Sequence, residues 1–156
     1  MVSLVPMEPE SWDAWREAST RRHAADMVRV REWPLEGAFE RAAALFSRIV
    51  PDGIDTPGHE FRTIVAESGA VVGALWFAPE QEVGQGTAFI WDIFIDDSER
   101  GRGYGRAAME ALEPLARSLG YDTIRLQVLS DNAPARHLYQ AVGYGETYIS
   151  MNKRIG

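Results

Sequence analysis

Thr87–Ile95 reads Thr-Ala-Phe-Ile-Trp-Asp-Ile-Phe-Ile, and it constrains the fold more than any other stretch of the chain. A nearly continuous apolar run of this length suits a central strand covered on both faces, whereas an open antiparallel strand alternates. Five residues further on, Arg100–Arg106 holds three glycines and three arginines in seven positions. Ala108, Leu112, Leu115, Ala116 and Leu119 then form a helical stripe that ends at Gly120, a left-handed cap. Pro114 removes the N–H that would bond the Glu110 carbonyl, which predicts a kink or a restart there. Ile124, Leu126 and Val128 alternate within Thr123–Leu129, a strand. A strand–loop–helix–strand unit of this kind brings the second strand back as a parallel neighbour of the first.

The other elements follow from punctuation and period. Val2–Met7 reads as a short strand, and Ser11 caps a helix that turns Trp12, Trp15, Ala18, Ala25 and Met27 toward the core. Phe39, Ala43, Phe46 and Val50 lie at helical spacing between about Leu35 and Val50, where Pro51-Asp52-Gly53 breaks the run. Phe61–Phe77 splits into two β-rich runs around Glu67-Ser68-Gly69-Ala70, a tight hairpin. Asp131 or Asn132 caps a last helix with Pro134 in its first turn and Ala135, Leu138, Tyr139 and Val142 on one face, closed by Gly143. Thr147, Ile149 and Met151 alternate as a final strand. The fold class is α/β (α+β): a mixed sheet with helices packed on it, in one domain spanning residues 1–156.

Bulk properties narrow the function. A net charge of −7 argues against a nucleic-acid partner, because such affinity rests on Lys and Arg neutralising phosphates. The absence of cysteine removes a thiol nucleophile, a thiolate metal site and disulfides. No His pair has metal-ligand spacing, so no metal is expected. The longest apolar run, around Val71–Ala78, is far short of the roughly 20 residues that cross a bilayer, and Met1–Pro6 lacks a basic and apolar leader. No membrane partner and a cytoplasmic protein are the expectation.

Against that acidic background the Arg100–Arg106 loop stands out. Glycine lets successive N–H groups point into one concavity at a helix start, where the helix dipole and unpaired first-turn donors attract an anion. The loop alone is equally compatible with a plain strand-to-helix turn bearing solvated arginines. A dinucleotide fingerprint needs different glycine spacing and an acidic residue about 20 positions later, and a phosphate-binding Walker loop needs Gly-Lys-Ser/Thr. Neither is present.

Arg100-x-x-Gly103-x-Gly105 after Ile93-Phe94-Ile95, and Asn132-x-x-Ala135-x-x-Leu138-Tyr139-x-x-x-Gly143-Tyr144, together resemble the GNAT family of N-acetyltransferases. The likeness runs from about Phe61 onward. It implies a mostly antiparallel sheet of six to seven strands, flanked by about four helices, with two splayed central parallel strands. It implies acetyl-CoA as co-substrate, its pyrophosphate on the N–H groups of Gly101, Arg102, Gly103, Tyr104, Gly105 and Arg106, with Arg100 and Asn132 framing the site. The pantetheine amides would pair with the strand at Ile93, Phe94 and Ile95. Tyr139 would face the thioester sulfur; its other reading is an aromatic on the core face of its helix. Direct transfer to a primary amine of a small molecule, peptide or protein is the implied reaction, with a homodimer as one allowed assembly. The rival is a noncatalytic acyl-CoA sensor, which would bind the donor and release no CoA; a plain nucleotide binder would prefer ATP or NAD.

Two residues are candidates to take the amine's proton. Asp92 interrupts the apolar strand, where an unpaired carboxylate is costly to bury, and reads either as a base working through water or as a structural carboxylate held by backbone donors or an arginine. His59, just before the first hairpin strand, titrates near neutrality. His23 and His137 sit among surface-type residues. The resemblance implies that Trp12, Trp15 and Trp33 line an acceptor pocket; the other reading of Trp12 and Trp15 is core packing.

Overall fold

The β2–β3 hairpin sets the frame. In the computed structural model, which describes residues 1–80 and 86–156, β2 (Glu60–Ala66) and β3 (Val71–Pro79) pair antiparallel across the turn at 67–70. Gly69 takes φ +85° there, and its N–H bonds the Ala66 carbonyl at 2.9 Å. β1 (Val2–Pro6) pairs with β2, and β4 (Thr87–Ile95) with β3, both antiparallel. β5 (Thr123–Leu126) lies parallel to β4 at the far edge, so the strand order is β1-β2-β3-β4-β5.

Helices cover both faces. α1 (Pro9–Arg29) and α2 (Ala38–Ile49) pack Trp12, Phe46 and Val50 against Phe61, Ala74 and Trp76 of the sheet. α3 (Tyr104–Ser118) lays Ala108, Met109 and Leu112 over Ile64, Val72, Leu75, Phe77 and Ile90 on the other face. The short α4 (Ala133–Ala141) follows β5 and leans on the same cluster through Tyr139 and Val142. The apolar run of β4 thus has a packed layer on each side, as its composition demands.

Several boundaries differ from the sequence reading. Five strands form among the described residues, not six or seven: Thr147–Met151 carries the alternation of a strand but is assigned to none. β5 ends at Leu126, three residues before Leu129. α1 begins at Pro9, whose fixed φ and missing N–H suit a first turn, rather than after Ser11. Its buried residues are Trp12, Ser19, Thr20 and Ala24, while Ala18 and Ala25 are exposed. α2 starts at Ala38 after Gly37 at φ +72°, and buries Ala38, Ala42 and Phe46 at i, i+4, i+8. α3 runs past Pro114 without a restart. Pro114 and Glu110 are both exposed, so water can serve the carbonyl that loses its donor.

Candidate active site

The site begins where β4 and β5 part. Their parallel pairing runs from Thr87↔Thr123 to Ile90↔Leu126 and stops, whereas β4 stays paired with β3 as far as Ile95↔Gly73. The Asp96 N–H bonds Val72 O at 2.9 Å, toward β3. By the two-residue alternation of a strand, Phe94 also spends its main-chain groups on β3, while Ile93 and Ile95 turn theirs toward the side that β5 has left. Of the three expected residues, only Ile93 and Ile95 therefore open backbone into the gap. The Ile95 carbonyl already accepts from Arg100 Nε at 3.2 Å.

A β-bulge adjusts what β4 presents. Ile90 pairs with Phe77 and Asp92 with Trp76, so Trp91 is the extra residue. Trp91 and Asp92 consequently face the α1 side together, with Trp91 stacked on Trp76 at 5.3 Å. Close approach is enforced at Gly73: a Cβ there would lie 2.1 Å from the Phe94 carbonyl oxygen.

The glycine-rich loop closes the gap at one end. Gly101 and Gly103 adopt φ +76° and +82°, Gly103 stands at the N-cap of α3, and no side chain caps the helix. Among the described residues, no N–H from Gly101 to Arg106 finds an acceptor. A Cβ on Gly101 or Gly103 would meet nothing within 4 Å, so this backbone is open to approach. Gly105 serves a different need: a Cβ would come 3.2 Å from Leu138 Cδ2, so its absence lets α4 sit close to the head of α3. Tyr104 packs against the α3-side core. Arg100 pairs with Asp97 at 2.9 Å, Arg102 with Glu99 at 3.1 Å and Arg106 with Glu110 at 2.9 Å. All three arginines are more than half exposed in these pairs, which a stronger anion can displace.

Asn132 Oδ1 accepts the Ala135 N–H at 3.2 Å and caps α4. Two turns past that cap, Tyr139 is half-buried with its ring 5.9 Å from that of Tyr144. Burial raises the Tyr139 phenol above its ordinary range, and the charge of Asp92, felt at this site, raises it further. The hydroxyl is therefore a proton-bearing donor at neutral pH.

Asp92 is not isolated. Its Oδ2 accepts from Ser19 Oγ and from Arg22 Nη2, each at 2.9 Å, and the Arg22 guanidinium lies 3.9 Å from the Phe94 ring centre. His59 is also engaged: its Nδ1 accepts the Trp76 indole N–H at 3.0 Å, and burial lowers its pKa. The ring is thus neutral with its proton on Nε2. His23 and His137 are exposed. Trp12 and Trp15 belong to the aromatic cluster with Phe46 and Phe61, and Trp33 sits with Ala24, Ala38 and Ala42. Sequence reasoning missed Ser19 and Arg22. They continue the stripe Trp12, Trp15 at i+7 and i+10, a period legible in the chain once polar residues are allowed on it.

No group of three or more metal-ligating side chains converges, and no helix is long and apolar enough to cross a membrane, among the described residues.

A parallel pair thus opens beside an uncapped glycine-rich helix start. Residues 11–144 match the Acetyltransferase (GNAT) family, and the chain belongs to that family of acetyltransferase enzymes. The N-acetyltransferase YycN of Bacillus subtilis, whose function is uncharacterized, is 32% identical over 99% of both chains, and its crystal structure superposes with a TM-score of 0.94. YdgE of the same organism, also uncharacterized, is 31% identical over 98% of both chains. The fold is shared by AAC(6')-Iy, solved with a CoA-S-monomethyl-acetylneamine bisubstrate analog, at 17% identity and a TM-score of 0.64 over 99% of this chain and 97% of that one.

Proposed function

We propose that this protein transfers an acetyl group from acetyl-CoA directly to a primary amine. The observation that carries the reading is the set of open N–H groups from Gly101 to Arg106, set beside main-chain groups of Ile93 and Ile95 that β5 leaves unpaired. A pyrophosphate needs a dense array of donors with no side chain in the way, and this loop supplies both. The pantetheine amides need an extended edge of donors and acceptors, and β4 offers one where its neighbour has ended. The neighbour crystallised with a CoA-based analog and the relatives named as N-acetyltransferases support the same reading.

Acetyl-CoA, when bound, supplies a thioester carbonyl for the amine to attack and a thiolate to depart. The chain's own groups then have distinct tasks. Arg100, Arg102 and Arg106 add charge around the phosphate site, and Asn132 fixes the start of the helix that carries Tyr139. Tyr139 donates a hydrogen bond to the departing sulfur. Full proton transfer runs uphill from a phenol whose pKa lies above its ordinary value of about 10 to a thiol near 8.5, so donation is the step the site can provide.

An alkyl amine near pKa 10 arrives protonated and must lose its proton before attack. Of the two candidates, Asp92 fits better. Ser19 and Arg22 both bond Oδ2 and fix the carboxylate, leaving Oδ1 without a side-chain donor among the described residues and able to take a proton through water. The accepting nitrogen of His59 is already taken by Trp76, so His59 acts by positioning that indole. A panel of primary amines, each assayed for release of free CoA thiol, tests the proposal, and the cysteine-free chain contributes no background. Thiol release that tracks acetylated amine supports it; acetyl-CoA binding with no turnover on any amine overturns it.

A further inference from the structure

The bulge at Trp91 does more than shift a register. A regular strand turns neighbouring residues to opposite faces, and the extra residue turns Trp91 and Asp92 to the same one. α1 reaches Asp92 through Ser19 and Arg22, whereas Trp91 stays 42% exposed. A bare apolar side chain needs no explanation by itself. One that a bulge sets beside the candidate base does.

Trp91 is also held still. One face lies on Trp76, with ring centres 5.3 Å apart and planes at 20°. Phe89 meets the ring edge-on at 5.0 Å. Trp76 is itself buried, and its indole N–H donates to His59 Nδ1 at 3.0 Å, which fixes the ring on which Trp91 rests. Among the described residues no other aromatic ring and no cation covers Trp91. A fixed indole with one bare face binds a second flat group at low entropic cost.

The charges beside the ring narrow what can lie on it. An ammonium arriving there meets Asp92 Oδ1 and the indole face, both of which attract a cation. Asp92 already shares its charge with Arg22 at 2.9 Å. The Tyr139 phenol feels the charge of Asp92 and of no other acid among the described residues, which puts the carboxylate within reach of the sulfur donor and alone there. A second ammonium would therefore lack a carboxylate and would face the Arg22 guanidinium, whereas an uncharged flat group meets neither cost.

We propose that the acceptor in the transfer proposed above is a primary amine carrying one planar apolar group and no second charge. The planar group lies on the open face of Trp91, and the nitrogen sits at Asp92. Trp91 is thus the residue that sets acceptor specificity, and Trp76 and His59 position it.

The test follows the indole N–H signals of isotope-labelled tryptophan while phenethylamine is added to the CoA-bound protein. The Trp91 signal is identified by its absence in Trp91→Phe. A saturable shift is expected at Trp91, a smaller one at Trp76 and none at Trp33. Phenethylamine is then compared with propylamine and putrescine as acetyl acceptors by release of CoA thiol. The expected kcat/KM favours phenethylamine over both by roughly tenfold or more, mostly through KM. Trp91→Ala brings that ratio to within about twofold, and Trp91→Phe keeps most of it. No shift at Trp91, a larger shift at Trp33, a preference for putrescine, or a ratio that survives Trp91→Ala overturns the proposal. A Trp91 shift with no thiol released from any of the three amines supports the amine seat and overturns the acetyl-transfer reading instead.

Discussion

The two flanks of β4 are held in opposite ways. Toward β3 it is paired along its whole length, and the residues behind that seam, Leu75 and Phe77, are 0% exposed. Toward β5 it keeps four rungs, and the helix beyond, α4, buries no residue fully. The difference teaches how one strand can be both scaffold and site. The tight flank holds the backbone of Ile93 and Ile95 in place, and the loose flank leaves it without a strand partner, as the proposed pantetheine contact requires.

Breaking the tight flank has the largest expected effect. Gly73→Ala puts a methyl 2.1 Å from the Phe94 carbonyl oxygen, backbone against backbone, so β3 and β4 must separate. The expected loss is about 3 kcal/mol of unfolding free energy, measured by urea denaturation, and acetyl transfer falls with it. A variant as stable as the wild type contradicts the description of that seam.

Gly103→Val acts on the loop and leaves the seam alone. A β-branched residue at φ +82° is strained, by about 1–2 kcal/mol, and its side chain occupies the open side of the N–H array. Acetyl-CoA affinity falls by roughly a hundredfold or more in calorimetric titration, while the protein stays folded. Unchanged affinity removes the loop from the binding site.

Tyr139→Phe separates binding from turnover. Affinity for acetyl-CoA stays within about twofold, and kcat drops by roughly tenfold or more, the scale of one lost donor to a developing charge. Because burial and Asp92 raise the phenol, it keeps its proton as pH rises through its ordinary value of about 10. The wild-type kcat profile therefore shows no alkaline decline from this group below that pH, and a decline there that disappears in Tyr139→Phe contradicts the assignment.

The smallest effect belongs to the loose flank. Arg29 reaches from the end of α1 to Asp131, just before α4, with Nε 2.9 Å from Oδ2. Both groups are well exposed, so water and salt screen the pair. Arg29→Ala is expected to leave Tm unchanged and to show, in hydrogen exchange, only faster opening of α4.

The tight flank was legible in the chain because its signals are local and redundant. The apolar run of β4, the hairpin at Gly69 and the stripe Ala108, Leu112, Ala116 each announce an element without reference to any other. The glycine loop and the Asn132 cap were legible too, since φ and capping chemistry demand particular residue types. Less could be read where long-range geometry decides. The bulge at Trp91 is set by register against β3, and the need for glycine at position 73 exists only once the Phe94 carbonyl is in place. Ser19 and Arg22 went unread because apolar residues alone were followed along α1, although the helical period points straight to them. Thr147–Met151 has the alternation of a strand, and alternation does not say which edge would pair with it.

The central claim is that Gly101–Arg106 and the free edge of β4 form one binding surface for acetyl-CoA. Amide chemical shifts of isotope-labelled protein, followed while acetyl-CoA is added, test it most directly. The account predicts saturable shifts largest at the Gly101–Arg106 amides and at Ile93 and Ile95, with those of Phe94 and β3 little changed. Binding that leaves those amides unmoved, or no binding at all, would contradict it.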